Sequence, residues 1–151
     1  MSDSYMRIIP VDPTFVPTKR AQKAAATILR AAAPKADEVS SETDEQIIFR
    51  DCGGNFEQIR CPACGKKIAV DTWQEWMDAD HSDDSGFRLA PLSPPCCKRS
   101  TTLNDLDYDM PQGFSRYELR AMNINKRLPS TVLEKLEGVL GCKLRVIHQR
   151  I

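Results

Sequence analysis

Two cysteine pairs set the strongest constraint on this chain. Cys61-Pro62-Ala63-Cys64-Gly65 has the C-P-x-C-G form of a zinc knuckle, and Cys96-Cys97 follows after 31 intervening residues, behind Pro94-Pro95. Such a tight turn brings two thiolates onto one metal, and its glycine lets backbone amides approach the sulfurs. A tetrahedral zinc needs four donors of this kind. The spacing predicts a zinc ribbon carrying a long insertion, with Cys61, Cys64, Cys96 and Cys97 as ligands. Adjacent cysteines make a tight geometry on one metal. A second donor set therefore stays open, in which His81 or Cys52 replaces one of Cys96 and Cys97. Cys142 reads as an ordinary buried thiol.

C-x-x-C is also a redox motif, where it opens a helix after a strand. Here Gly65-Lys66-Lys67 leads into a predicted strand, which favours metal over redox chemistry. Catalytic zinc keeps an open position beside a Glu or His base. No H-E-x-x-H or H-x-E…P-C-x-x-C arrangement is present, and the only histidines are His81 and His148. There is also no G-x-S-x-G, no phosphate-binding G-x-x-x-x-G-K and no dinucleotide fingerprint. The expectation is structural zinc and no enzyme.

The regular elements lie on either side of the cysteines. Ile8, Ile9 and Val11 predict a strand over 7–11, and the segment 46–51 (QIIFRD) predicts a second. Between them Thr18 is an N-cap and Pro34 a stop for a helix whose face is Ala21, Ala24, Ala25, Ile28, Leu29 and Ala32. The acidic, Ser-rich stretch 35–45 reads as a solvated loop, and 52–55 as a turn. Within the cysteine-rich part, strands are expected over 66–70 and 87–92. A short helix between them is started by a Thr72/Glu75 capping box and buries Trp73, Trp76 and Met77. After it, Tyr117, Leu119 and Ala121 share one side of a strand over 114–123. Val132, Leu133, Leu136 and Leu140 make a helix face opened by Ser130 and closed by Gly141, and 143–151 is the last strand.

The order predicts one α+β domain over 1–151: a ferredoxin-like βαββαβ antiparallel sheet with a zinc-ribbon-like insertion, 56–100, between strands 2 and 3. The length of 151 residues and a hydrophobic share of 41% are enough for one buried core. No apolar run reaches the ~18–20 residues of a membrane helix, and residues 1–10 lack a signal-peptide pattern, so a cytoplasmic protein is expected.

Twenty-one basic and twenty-one acidic residues give zero net charge, which argues against a dedicated nucleic-acid binder. Lys66, Lys67, Lys98 and Arg99 flank the thiolates and would offset their charge, and they keep a nucleic-acid-associated zinc ribbon as the alternative. The acids are more informative. Asp78, Asp80, Asp83 and Asp84 lie in a stretch without Lys or Arg, and Asp105, Asp107 and Tyr108 follow the second cysteine pair. Folded together, they predict an acidic, aromatic-bearing surface for a basic protein partner.

The motifs Asp51-Cys52-Gly53-Gly54-Asn55-Phe56-Glu57, Cys61-Pro62-Ala63-Cys64-Gly65, Pro95-Cys96-Cys97 and Leu103-Asn104-Asp105-Leu106-Asp107-Tyr108 resemble a family of small uncharacterised bacterial proteins. The resemblance extends to the helix exit at Leu136, Glu137, Leu140, Gly141 and Cys142; where many of that family have glycine after the double cysteine, this chain has Lys98. Bacterial proteins of this size and kind are often immunity proteins, which neutralise a cognate toxin. By that analogy the resemblance implies a toxin inhibitor acting by occlusion of an active site.

Overall fold

The computed structural model describes residues 3–54, 56–124 and 126–150. Asn55 of the expected turn and Ile151 of the expected last strand lie outside them. The chain is α+β. It runs β1 (Ser4–Pro10), α1 (Lys19–Ala32), β2 (Glu38–Arg50), β3 (Ile59–Arg60), β4 (Lys67–Ile68), α2 (Val70–Asp80), β5 (His81–Ser82) and β6 (Gly86–Phe87). A 3-10 turn at Leu103–Asp105 leads to β7 (Asp107–Tyr108), β8 (Gly113–Met122), α3 (Ser130–Leu140) and β9 (Leu144–Arg150).

Four long strands stand in the order β2-β8-β1-β9, each antiparallel to its neighbour. Alternation along β8 sends Tyr117, Leu119 and Ala121 to one face. There they meet Met6 and Ile8 of β1, Ala25, Ala26 and Leu29 of α1, and Leu136 and Leu140 of α3 in one core. Thr18 caps α1 by accepting the Ala21 amide at 3.1 Å, and Gly141 ends α3 in the left-handed conformation, φ +79°. The α1 face is turned slightly from its predicted position: Ala26 is buried and Ala24 exposed.

Residues 51–112 cover part of the opposite face. β3 pairs with β4 and β7 in a small second sheet, while β6 joins the outer edge of β2 at Ile47. Ile59, Ile68, Trp73, Met77, Leu103, Leu106 and Tyr108 pack on Phe114 of β8, with Ile47 and Phe49 of β2 alongside. Asn104 stitches this segment to the long strands. Its side chain accepts the Phe114 amide at 3.0 Å and donates to the Val11 carbonyl at 3.1 Å.

Three expectations change. The solvated loop over 35–45 is largely the first half of β2, because its backbone pairs with β8 from Glu38↔Met122 to Thr43↔Tyr117. This stretch lies at a sheet edge, where polar side chains are at home. The Thr72/Glu75 box is not made. Helix α2 starts earlier, at Val70 after Ala69, and has no side-chain cap. The strand over 87–92 stops at Phe87, since the next three amides turn inward to a carboxylate, that of Asp80, instead of a neighbouring strand.

Candidate metal centre

Cys61 and Cys64 stand on the turn between β3 and β4. The Gly65 amide donates to the Cys61 carbonyl and the Cys61 amide to the Lys66 carbonyl, both at 2.9 Å, and Gly65 takes φ +77°. The second pair sits on a turn of the same build. The Lys98 amide donates to the Pro94 carbonyl at 2.9 Å, and Lys98 takes φ +58°. Cys64 and Cys97 thus occupy equivalent places, each one residue before a left-handed residue. A left-handed lysine is uncommon because its Cβ crowds the backbone. It stands where glycine would carry no such cost.

The two turns face each other. Cys61 Sγ lies 3.5 Å from Cys97 Sγ and Cys64 Sγ lies 3.4 Å from Cys96 Sγ, and all four sulfurs fall within 4.8 Å of one another. Disulfides, at about 2.05 Å, are absent from the group. Four sulfurs at about 2.3 Å from a central ion would be about 3.8 Å apart, inside the observed spread. The set can therefore hold a metal ion, and tetrahedral S4 donors suit zinc or iron.

Electrostatics prepares one donor first. The Cys64 amide, helped by that of Ala63, holds the Cys61 thiol down to about 7 against the opposing effect of burial. The neighbouring Cys64 sulfur, then burial, pushes Cys96 up to about 12. At Cys97 the Arg99 amide pulls downward, but the Cys61 sulfur and burial outweigh it and the thiol ends raised. Lys66, Lys67, Lys98 and Arg99 are all exposed around the cluster.

The two substitute ligands go elsewhere. Cys52 is fully buried beside Ile9 and Ile147 and contacts Gln112 Oε1 at 3.3 Å. His81 lies on β5 against the Phe87 ring, 4.8 Å between centroids. His148 is exposed on β9, an edge strand, and Cys142 is half-buried.

The acidic set divides. Asp78, Asp83 and Asp84 are exposed on α2 and the turn after it, and Asp105 and Asp107 are exposed near β7. Asp80 is not a surface group. It is 8% exposed, and its carboxylate accepts the amides of Arg88, Leu89 and Ala90 at 2.9, 2.7 and 2.9 Å. Tyr108 is likewise interior. Its hydroxyl donates to the Leu103 carbonyl at 2.7 Å and accepts Trp73 Nε1 at 3.1 Å, and burial raises its pKa. Both were expected on the acidic surface; alternation with exposed Asp107 turns Tyr108 inward, and the end of α2 turns Asp80 inward. The aromatic surface beside the acids is instead a groove of about 500 Å³ against α2. Phe49, Trp73, Met77 and Phe87 line it together with Asp78 and His81. Sequence reasoning missed the roles of Asp80 and Asn104. The position of Asp80 at a helix end, just before a turn, was the one available signal for the first.

No protein-family model, no curated protein and no solved structure gives a significant match to this chain. Among the described residues no helix is long and apolar enough to cross a membrane.

Proposed function

We propose that this protein is a zinc-stabilised protein-binding module, and that its partner is a basic protein, a cognate toxin in the sharpest form of the reading. The observation that carries it is the convergence of Cys61, Cys64, Cys96 and Cys97 from two facing turns. Four thiolates fill a tetrahedral zinc and leave no position for substrate, so the metal serves folding. On this reading the long strands and α1 and α3 form a ferredoxin-like frame; the order β2-β8-β1-β9 supports it. The segment carrying the cysteines is a zinc-ribbon-like insertion, a reading supported by the matched turns.

What the metal holds in place is α2. Its outer side carries Asp71, Glu75 and Asp78 at helical spacing, and Asp83 and Asp84 follow in the next turn. No Lys or Arg lies between residues 69 and 87. Beside these acids runs the groove lined by Phe49, Trp73, Met77 and Phe87. Acids steer a cationic partner inward, and an aromatic-lined groove accepts an anchoring side chain. Occlusion of a toxin's active site would follow from such docking.

The test is a pull-down from native cells with metal analysis on the same sample. The reading expects one zinc and one stoichiometric basic protein. Neutralising Asp78, Asp83 and Asp84 to asparagine should weaken that complex at least tenfold. Unchanged affinity removes the acidic face, and recovery of nucleic acid that is lost when Lys66, Lys67, Lys98 and Arg99 are reversed favours the alternative built on those four.

A further inference from the structure

The zero net charge hides a second, basic pole. Helix α1 carries Lys19, Arg20, Lys23 and Arg30 and no acidic residue. Lys19, Lys23 and Arg30 are spaced by four and seven residues, which places them on one side of the helix. All three are exposed, and none takes part in an ion pair among the described residues, whose pairs all involve Arg7, Arg50 or Arg120. They line a groove of about 510 Å³ whose far wall is β2, through Ser40 and Ser41. That stretch of β2 pairs with β8 on one side only, since β6 reaches β2 at Ile47 alone. The groove therefore offers a row of unneutralised cations, the hydroxyls of Thr27 and Ser41 and an open strand edge.

From this we infer that the groove between α1 and β2 binds an extended phosphate polyanion, a single strand of nucleic acid. At about 1.5 Å rise per residue, the cations from Lys19 to Arg30 spread over roughly 16 Å. That span is too long for one phosphate and suits several successive ones. No aromatic side chain lines the groove, so nothing there stacks on bases. The site reads the backbone and is indifferent to sequence. An acidic peptide added along the strand edge is disfavoured. Such a strand would turn every second carboxylate to the face away from α1, beside the exposed Glu38 and Glu42 and out of reach of the three cations. A phosphate chain lying over α1 needs no pairing with that edge. This site is independent of the protein-docking face on α2.

Fluorescence anisotropy tests it, with the zinc-loaded full chain, a labelled oligo(dT) or oligo(rU) strand and salt varied from 50 to 200 mM. The wild type is expected to bind, and Lys19→Glu, Lys23→Glu and Arg30→Glu together should weaken binding at least tenfold. At about 0.7 counterions per phosphate contact on a single strand, the slope of log K against log salt should shrink by roughly 2. Since all three residues are exposed, the variant should keep the wild-type melting temperature; a Lys19→Gln, Lys23→Gln, Arg30→Gln variant serves if it does not. Three outcomes overturn the assignment: no binding by the wild type at 50 mM salt, unchanged affinity in the variant, or loss only when Lys66, Lys67, Lys98 and Arg99 are reversed. Displacement of the strand by polyglutamate at matched charge would reassign the groove to an acidic protein segment.

Discussion

Removing the metal should loosen the segment 51–112 before the rest of the chain, and its size can be estimated. The strands inside it are only two residues long, so their ladders hold little by themselves. Cys61 and Cys97 are 36 residues apart. Loop-closure entropy grows with the logarithm of length. A loop of that size costs about 4 kcal/mol, against about 3 for a 15-residue one. The long insertion therefore weakens the site by only about 1 kcal/mol relative to a compact zinc finger, whose apparent binding free energy is roughly 10–16 kcal/mol. Less the ~8 kcal/mol that corresponds to 1 μM free zinc, the metal should stabilise its segment by about 4 kcal/mol, within a range of roughly 1–7. Both tryptophans lie in α2, and Trp73 is 3% exposed. Their emission thus reports on this segment and far-UV circular dichroism on the whole. With a reductant present, urea unfolding should show the emission midpoint falling by roughly 2 M on chelation, at an m-value near 2 kcal/mol/M, while much of the dichroism persists. An unchanged midpoint in protein proven metal-free would refute the reasoning and leave the apolar contacts as the sole fastening.

Asp80→Ala removes the shared acceptor of three part-buried amides and should cost about 1–3 kcal/mol, whereas Asp78→Ala should stay within about 0.5 kcal/mol; thermal melts of the two zinc-loaded variants decide this. Lys98→Gly removes a left-handed side chain and should stabilise the zinc-loaded protein by about 1 kcal/mol, read in the same melts. Cys96 at about 12 and the raised Cys97 are protonated in the metal-free protein at neutral pH, so binding must release both protons. Apparent zinc affinity should fall at least a hundredfold per unit as pH drops from 8 to 7, and more steeply below about 7 where Cys61 also protonates; competition with a chromophoric chelator measures it.

The parts legible in the sequence were those fixed by short-range chemistry. The Thr18 cap, the Gly141 exit and the alternation of Tyr117, Leu119 and Ala121 each need only neighbours a few residues away. The turn that sets Cys61 beside Cys64 was legible for the same reason, since C-P-x-C-G carries it within five residues. Elements decided by distant partners were not. Residues 38–43 look like a loop until β8 lies alongside them, and only then does their backbone find its partners. Asp80 and Tyr108 misled in a related way. Composition says that a carboxylate and a phenol belong outside, but the chain beyond α2 wraps the first, and alternation turns the second inward. Net charge hides a division of this kind, because a sum of zero contains both a helix whose only charges are cations and one whose only charges are acids.

The segment 51–112 also answers a need of the long sheet. Helices α1 and α3 cover one face only. On the other, β8 places Phe114, then Glu118 and Arg120 at alternating positions. The far part of this face needs no cover. Glu118 is fully buried there by its own partners, 2.7 Å from Arg7 Nε and 3.1 Å from Arg120 Nε. Near Phe114 there is no such self-sufficiency: Phe49 stacks on it at 5.0 Å, and Ile9 and Ile147 lie in the neighbouring cluster. These apolar groups belong to the long strands, yet they are buried by residues that the thiolate cluster fastens. Loss of metal should therefore expose two surfaces at once, the inner side of α2 and the apolar part of the sheet beneath it. A contiguous patch of that kind promotes self-association. Light scattering on chelated, reduced protein should then rise with concentration, and zinc added back before association should prevent it. Chelated protein that stays monomeric at high concentration would mean that the segment keeps its place over Phe114 and Phe49 without the metal.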